Sequence, residues 1–150
     1  MSPEHLSWLN NYFKELYQTP ILENNLNLEV ENLSNGEAVL SAKIAEQHGN
    51  LYGYVHGGTL ASIADVVMGV ACTTWGKRVV TIDLNISFIK GAPIGSKLTA
   101  FGKVISNGNT IMRATAEIFN EQQELIVRSQ ASYFNTGDFN EKDYPQPAIS

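Results

Sequence analysis

Between Gly57 and Gly76 the run GGTLASIADVVMGVACTTWG holds a single charged residue, Asp65. A carboxylate among apolar neighbours is costly unless it is paired or hydrogen-bonded. It is therefore either a structural group tied to nearby backbone and hydroxyls, or a functional one, acting as base or nucleophile. Just ahead stands His56-Gly57-Gly58. Free backbone N–H groups at a helix start, with the positive end of the helix dipole, make an anion site. Glycines let a ligand approach that backbone closely, although they also serve simply as a tight turn into the helix. No Gly-Lys-Ser/Thr follows, so this is not a nucleotide phosphate loop. Asn50 either offers a side-chain N–H to an oxyanion or caps its own loop. His56 is read as fixing the loop through a hydrogen bond rather than as a general acid.

Other groups carry less. His5 and His48 are expected on the surface, and the three histidines show no metal-ligand spacing, so no metal site is expected. Cys72 lies deep in the apolar run and reads as an inert core thiol. The absence of a Gly-x-Ser-x-Gly elbow argues against a serine hydrolase.

These groups need elements to hold them. Apolar residues occupy almost every side of the run after Gly57, which predicts a long helix of about 27 Å buried nearly all round. One flat sheet covers only one side of such a helix, so the sheet must curl around it or a second subunit must cover the rest. Leu6, Leu9, Phe13 and Leu16 recur at helical spacing after a Ser2-Pro3 start and before Pro20, predicting a short amphipathic helix within residues 1–20, lying on the domain surface. Leu26–Glu31 and Ala38–Ile44 read as two strands around Ser34-Asn35-Gly36. Val80–Phe88, Lys97–Ser106, Thr110–Phe119 and Leu125–Phe134 follow as strands, with Asn107-Gly108 a hairpin signal. Residues 137–150 are polar with two prolines and are expected to be a mobile tail. Residues 1–150 thus form one α+β domain, with a curved antiparallel sheet of about six strands around one central helix.

Bulk properties set the partner classes. Ten Lys plus Arg against fifteen Asp plus Glu give a net charge of −5, which argues against nucleic acid. No run of about 18 apolar residues suggests a membrane span. The start Met1-Ser2-Pro3-Glu4-His5 lacks an export pattern. One cysteine allows no disulfide within the chain, so a cytoplasmic or other reducing compartment is expected.

The pattern Asn50-x-x-Gly53-x-x-His56-Gly57-Gly58, followed by Asp65 in the helix and by Thr81-Ile82-Asp83-Leu84-Asn85-Ile86, resembles the signature of hotdog-fold acyl-CoA thioesterases of the phenylacetyl-CoA thioesterase (PaaI-like) type. The resemblance runs from about Leu26 to Phe134. It implies the hotdog fold and hydrolysis of acyl-CoA to free acid and CoA without a cofactor. By the same resemblance Asp65 is nucleophile or general base, Gly57 N–H and Asn50 polarise the thioester carbonyl, Thr81 assists the attacking water and His56 orients the loop. Gly58 and Lys90 are expected to touch substrate, and Lys77, Arg78 and Lys97 join Lys90 as candidate partners of the CoA phosphates.

Gly57 and Asp65 are eight positions apart, or about 12 Å along a helix axis. One thioester cannot meet both on the same chain, so a shared site needs two subunits. The expected assembly is a homodimer, and by the resemblance a homotetramer of paired dimers. Two other functions are weighed against hydrolysis. One is a hotdog dehydratase or hydratase, whose histidine pattern His56-Gly57-Gly58 does not match. The other is a non-catalytic acyl-CoA-binding module, which would have no need of Asp65.

Overall fold

A computed structural model of the chain describes residues 1–144. Its elements run α1 (Pro3–Leu16), α2 (Leu22–Asn25), β1 (Leu28–Ser34), β2 (Glu37–Lys43), α3 (Gly57–Thr73), β3 (Lys77–Phe88), β4 (Lys97–Asn107), β5 (Ile111–Phe119) and β6 (Leu125–Asp138), with a 3-10 turn at Glu46–His48 between β2 and α3. The six strands form one antiparallel sheet in the order β1-β2-β4-β5-β6-β3. The sheet curves around α3, which packs against β2, β3, β4, β5 and β6. This is the hotdog architecture.

The helix sits close to the sheet because β4 has a glycine where they cross. A Cβ on Gly102 would lie 2.5 Å from the Val67 carbonyl oxygen of α3, backbone against backbone. Leu60, Ile63, Ala64, Val67, Met68, Ala71 and Cys72 of α3 are buried. Burial pushes the Cys72 thiol up to about 12, as suits an inert core thiol. Gly58, Ser62, Asp65, Val66 and Gly69 remain at least partly exposed. At that spacing they form one strip along the helix that the sheet of a single chain leaves uncovered, on the side that carries Asp65.

Strand β3 departs from strict alternation. The register with β6 skips a residue between Thr81 and Asp83, so Thr81 opposes Tyr133 while Asp83 opposes Ser132. Val79 is half-buried before this bulge, and Leu84 and Ile86 are half-buried after it. The bulge therefore switches which parity faces the helix, and leaves Val80 and Ile82 on the surface at 54% and 52% exposure.

At the N-terminus Ser2 Oγ accepts the His5 N–H at 3.2 Å and Pro3 opens α1. The helix packs on β1 through a buried face of Leu9, Tyr12 and Phe13. The short helix α2 has no periodic signal and was not expected. The start of the expected mobile tail is also corrected. Phe139 is buried against Tyr12 and Phe13, with ring centroids 5.6 and 5.9 Å away, and Tyr144 stacks on it at 3.9 Å. Two aromatic rings in the polar segment supply the apolar surface that docks it. The rest of that segment, 145–150, lies outside the described residues.

Replacing Gly102 by alanine drives a methyl into the α3 backbone. We expect Gly102→Ala to lower unfolding stability by about 1–3 kcal/mol, read in a denaturant titration. Unchanged stability would mean that the helix does not rest on β4 at this point.

Candidate active site

Asp65 Oδ1 accepts two hydrogen bonds, from Thr81 Oγ1 at 2.8 Å and from the Tyr133 hydroxyl at 2.8 Å. Tyr133 is 2% exposed, and its hydroxyl also lies 2.9 Å from the Asp65 carbonyl oxygen. Burial first, and then the Asp65 charge, push the Tyr133 phenol far above its ordinary value, so it is a fixed donor. Both donors come from facing positions of β3 and β6, and the bulge turns Thr81 toward the helix. Oδ2 receives no hydrogen bond from the described residues. Tyr133 was missed in the sequence because its position opposite Thr81 comes from strand pairing between residues distant along the chain.

The loop from Glu46 to His56 is fastened by a residue expected on the surface. His48 is 2% exposed: its Nδ1 accepts the Ala45 N–H at 3.0 Å and its Nε2 lies 2.5 Å from the Asn25 carbonyl. Since Nδ1 accepts, Nε2 carries the proton and donates. The His48 carbonyl in turn accepts the His56 N–H at 2.9 Å and the Thr59 hydroxyl at 3.0 Å. An imidazole between two backbone partners is buried because both of its nitrogens are satisfied. His5 is likewise half-buried, with Nε2 3.1 Å from the Thr73 carbonyl.

Within this loop Asn50 N–H donates to the Tyr54 carbonyl at 2.7 Å, and Gly53 turns the chain at φ 84°, a left-handed geometry that suits glycine. Asn50 Oδ1 accepts the N–H groups of Tyr52 and Tyr54 at 2.9 and 3.1 Å. The amide oxygen is therefore the loop cap, and the same bonds leave the Nδ2 donors to point away from it. His56 Nδ1 accepts the Gly58 N–H at 2.8 Å and is the N-cap of α3. Of the two glycines, then, Gly58 spends its N–H on the cap. The Gly57 N–H has no protein acceptor among the described residues, and the Phe88 ring would sit 3.4 Å from a Cβ at Gly57.

Within this one chain, Asp65, Thr81 and Tyr133 form one cluster. His56 and Gly57 stand at the N-terminus of α3, and Asn50 lies in the loop ahead of them. The expected phosphate partners are scattered. Lys90 pairs with Glu124, and Lys77 Nζ donates to the Gly108 carbonyl at 2.8 Å. Arg78 donates to Thr136 and lies over the Tyr144 ring, and Lys97 is on the surface at the start of β4. A cleft of about 240 Å³ opens beside Asp65, walled by Phe13, Val66, Val70, Phe139 and Tyr144. A larger depression of about 590 Å³ on the outer sheet face, near Asn85, Thr115 and Arg128, contains none of these groups.

Comparison with known proteins places this geometry. The chain is 28% identical to acyl-coenzyme A thioesterase PaaI of Escherichia coli K12 over 123 residues, covering 82% of this chain and 86% of that one. It is 28% identical over 94 residues to human acyl-coenzyme A thioesterase 13, covering 61% and 67%. The solved E. coli PaaI structure superposes with a TM-score of 0.81 at 25% identity, covering 89% of this chain and 98% of that chain. A thioesterase of Streptococcus pneumoniae solved with coenzyme A superposes with a TM-score of 0.74 at 26% identity, covering 76% and 89%. The Thioesterase superfamily pattern matches residues 52–127, the stretch carrying Gly57, Asp65 and Thr81, and the chain belongs to that family.

Proposed function

We propose that the protein hydrolyses acyl-CoA thioesters at two composite sites, each built from Asp65, Thr81 and Tyr133 of one subunit and from Asn50 and Gly57 of another. The observation that carries this reading is Asp65, held through Oδ1 by two donors while Oδ2 stays open to the exposed strip of α3. Thr81 donates its hydroxyl hydrogen bond to Asp65, so its oxygen is left to accept a hydrogen bond from water. A water between Thr81 Oγ1 and Asp65 Oδ2 passes its proton to the carboxylate as its oxygen attacks the thioester carbon. The carbonyl oxygen gains the negative charge, and the Gly57 N–H at the positive end of α3, with Asn50 Nδ2, stabilises it. Collapse of the tetrahedral intermediate breaks the C–S bond, and the proton on Asp65 goes to the departing CoA thiolate.

Two features support the second subunit. About 12 Å of helix separate Gly57 from Asp65. Strand β3 is an unpaired edge of 12 residues with Val80, Ile82 and Phe88 exposed, the kind of edge that pairs with another copy. A homodimer joined along β3 covers that edge, and a homotetramer of two dimers is the proposed full assembly. The names of the relatives and the coenzyme A bound to the S. pneumoniae neighbour support the substrate class. That neighbour has also been solved with an aspartate and with a threonine changed to alanine. Those two positions are 16 apart, the separation of Asp65 and Thr81 here. The single buried thiol, Cys72, is compatible with a cytoplasmic setting.

Three outcomes test this reading. Asp65→Asn retains an oxygen for both donors and loses the base. It should stay folded and oligomeric and bind acyl-CoA, with thiol release reduced about 100-fold or more; activity near wild type would make the carboxylate structural. Asn50→Asp retains the acceptor for Tyr52 and Tyr54 and removes the Nδ2 donor. Its kcat should fall about 10- to 1000-fold at unchanged thermal stability, whereas a loop cap alone predicts no change. Sedimentation should find at least a dimer, and an active monomer would sink the shared site.

A further inference from the structure

We infer that Asn107-Gly108, at the end of β4, is a self-modification site, where the asparagine loses its side-chain amide to attack by the next backbone nitrogen and Lys77 promotes the step. The chain's other Asn-Gly pair, Asn35-Gly36 between β1 and β2, is protected by the fold. This inference does not depend on the acyl-CoA reading above.

The two pairs look alike in the sequence. Each follows a serine, as Ser34-Asn35-Gly36 and Ser106-Asn107-Gly108, each sits where one strand turns into the next, and both asparagines are exposed. Each glycine is demanded by its turn. Gly36 takes φ 78°, and a Cβ on Gly108 would collide with the Ile111 carbonyl oxygen. With no side chain, a glycine leaves its backbone nitrogen open to the carbonyl carbon of the asparagine before it. The fold then treats the two nitrogens differently. Gly36 is buried and its N–H donates to Thr74 Oγ1 at 2.8 Å. The Gly108 N–H has no acceptor among the described residues. The amides differ as well. Lys77 Nζ donates to Asn107 Oδ1 and, at 2.8 Å, to the Gly108 carbonyl, and no described cation does the same for Asn35.

These differences fall on the atoms that react. The Gly108 nitrogen gives its proton to solvent base and bonds to the Asn107 side-chain carbonyl carbon. Negative charge gathers on Oδ1, where the Lys77 ammonium already donates, so Lys77 serves as an oxyanion donor. Collapse breaks the bond from that carbon to the amide nitrogen, which takes a proton from water and leaves as ammonia, and a cyclic imide remains. Water then opens the imide. Addition at the side-chain carbonyl gives aspartate, and addition at the main-chain carbonyl gives isoaspartate, with an extra backbone carbon at the end of β4. The net change is hydrolysis of an amide to a carboxylate and ammonia, with water as the sole co-reactant. Both acceptors of Lys77 are neutral oxygens, so the aspartate product exchanges a neutral hydrogen bond for a stronger charge-assisted one. At Asn35 the same attack first has to break the Gly36–Thr74 bond in a buried place, which costs the full desolvation of that N–H.

The test holds the folded protein in mildly alkaline buffer and follows both sites by peptide mapping with mass spectrometry, with the urea-unfolded chain as reference. Unfolded, the two sites should convert at similar rates, since they share the same three residues. Folded, Asn107 should convert about tenfold faster than Asn35 or more. Lys77→Gln should slow Asn107 about tenfold and leave Asn35 unchanged, and Lys77→Arg should restore most of the rate. Equal rates at the two sites of the folded protein, or a faster Asn35, overturn the proposal. So does a Lys77→Gln rate at Asn107 that is unchanged or higher, the result expected if Lys77 only pins the side chain away from Gly108. The ratio of the two rates in the wild type needs no variant, so it decides the matter even if Lys77→Gln does not fold.

Discussion

A carboxylate in the middle of an apolar helix is tolerable only if donors meet it, and here that demand reaches into two strands. Asp65 Oδ1 is met by Thr81 from β3 and Tyr133 from β6. Thr81 arrives because the β-bulge after it changes which parity of β3 faces the helix. Tyr133 arrives because it pairs across from Thr81 and is long enough to reach the Asp65 carbonyl as well. The helix can lie near enough to receive both because Gly102 leaves room for its backbone on β4. One charge thus explains a bulge, a buried tyrosine and a bare glycine.

At the start of α3, single residues use only some of their polar atoms to hold the structure. Asn50 ties the loop with its oxygen and keeps its nitrogen for another partner. His56 caps the helix with Nδ1, which uses the Gly58 N–H and leaves that of Gly57. A functional residue in a loop has to be held by something, and economy favours holding it by its own unused atoms. For Asn50, capping the loop uses only the amide oxygen, and the nitrogen has no partner among the described residues.

This division sets how much the sequence could tell. Local signals were legible: the apolar helix, the lone Asp65, the Asn107-Gly108 hairpin and the Ser2-Pro3 start all depend on spacing within a few residues. Long-range pairing was not. Tyr133 reaches Asp65 across 68 positions, and nothing in its own strand distinguishes it from a core aromatic. The bulge in β3 was hidden because Val80–Phe88 alternates perfectly on paper. His48 was read as a surface residue since one of its two backbone partners, Asn25, stands 23 positions away and becomes a neighbour only on folding. The tail was judged by its polarity, yet two rings, Phe139 and Tyr144, dock its described part.

The same contrast between near and far shapes the pocket. Asp65 and Thr81 lie on adjacent elements, α3 and β3, with Tyr133 added from β6. The wall that an acyl group would meet is made by the two ends of the described chain. Phe13 and Tyr17 come from α1, and Phe139 and Tyr144 come from the segment after β6. None of those four side chains hydrogen-bonds to Asp65, Thr81 or Tyr133, so their shapes can change without breaking the bonds that hold the carboxylate. Reshaping the helix α3 itself would disturb the close contact at Gly102 and the bond to Tyr133 together. Pocket size and polarity are thus adjustable at the ends of the chain, while the middle is constrained by the charge it has to hold.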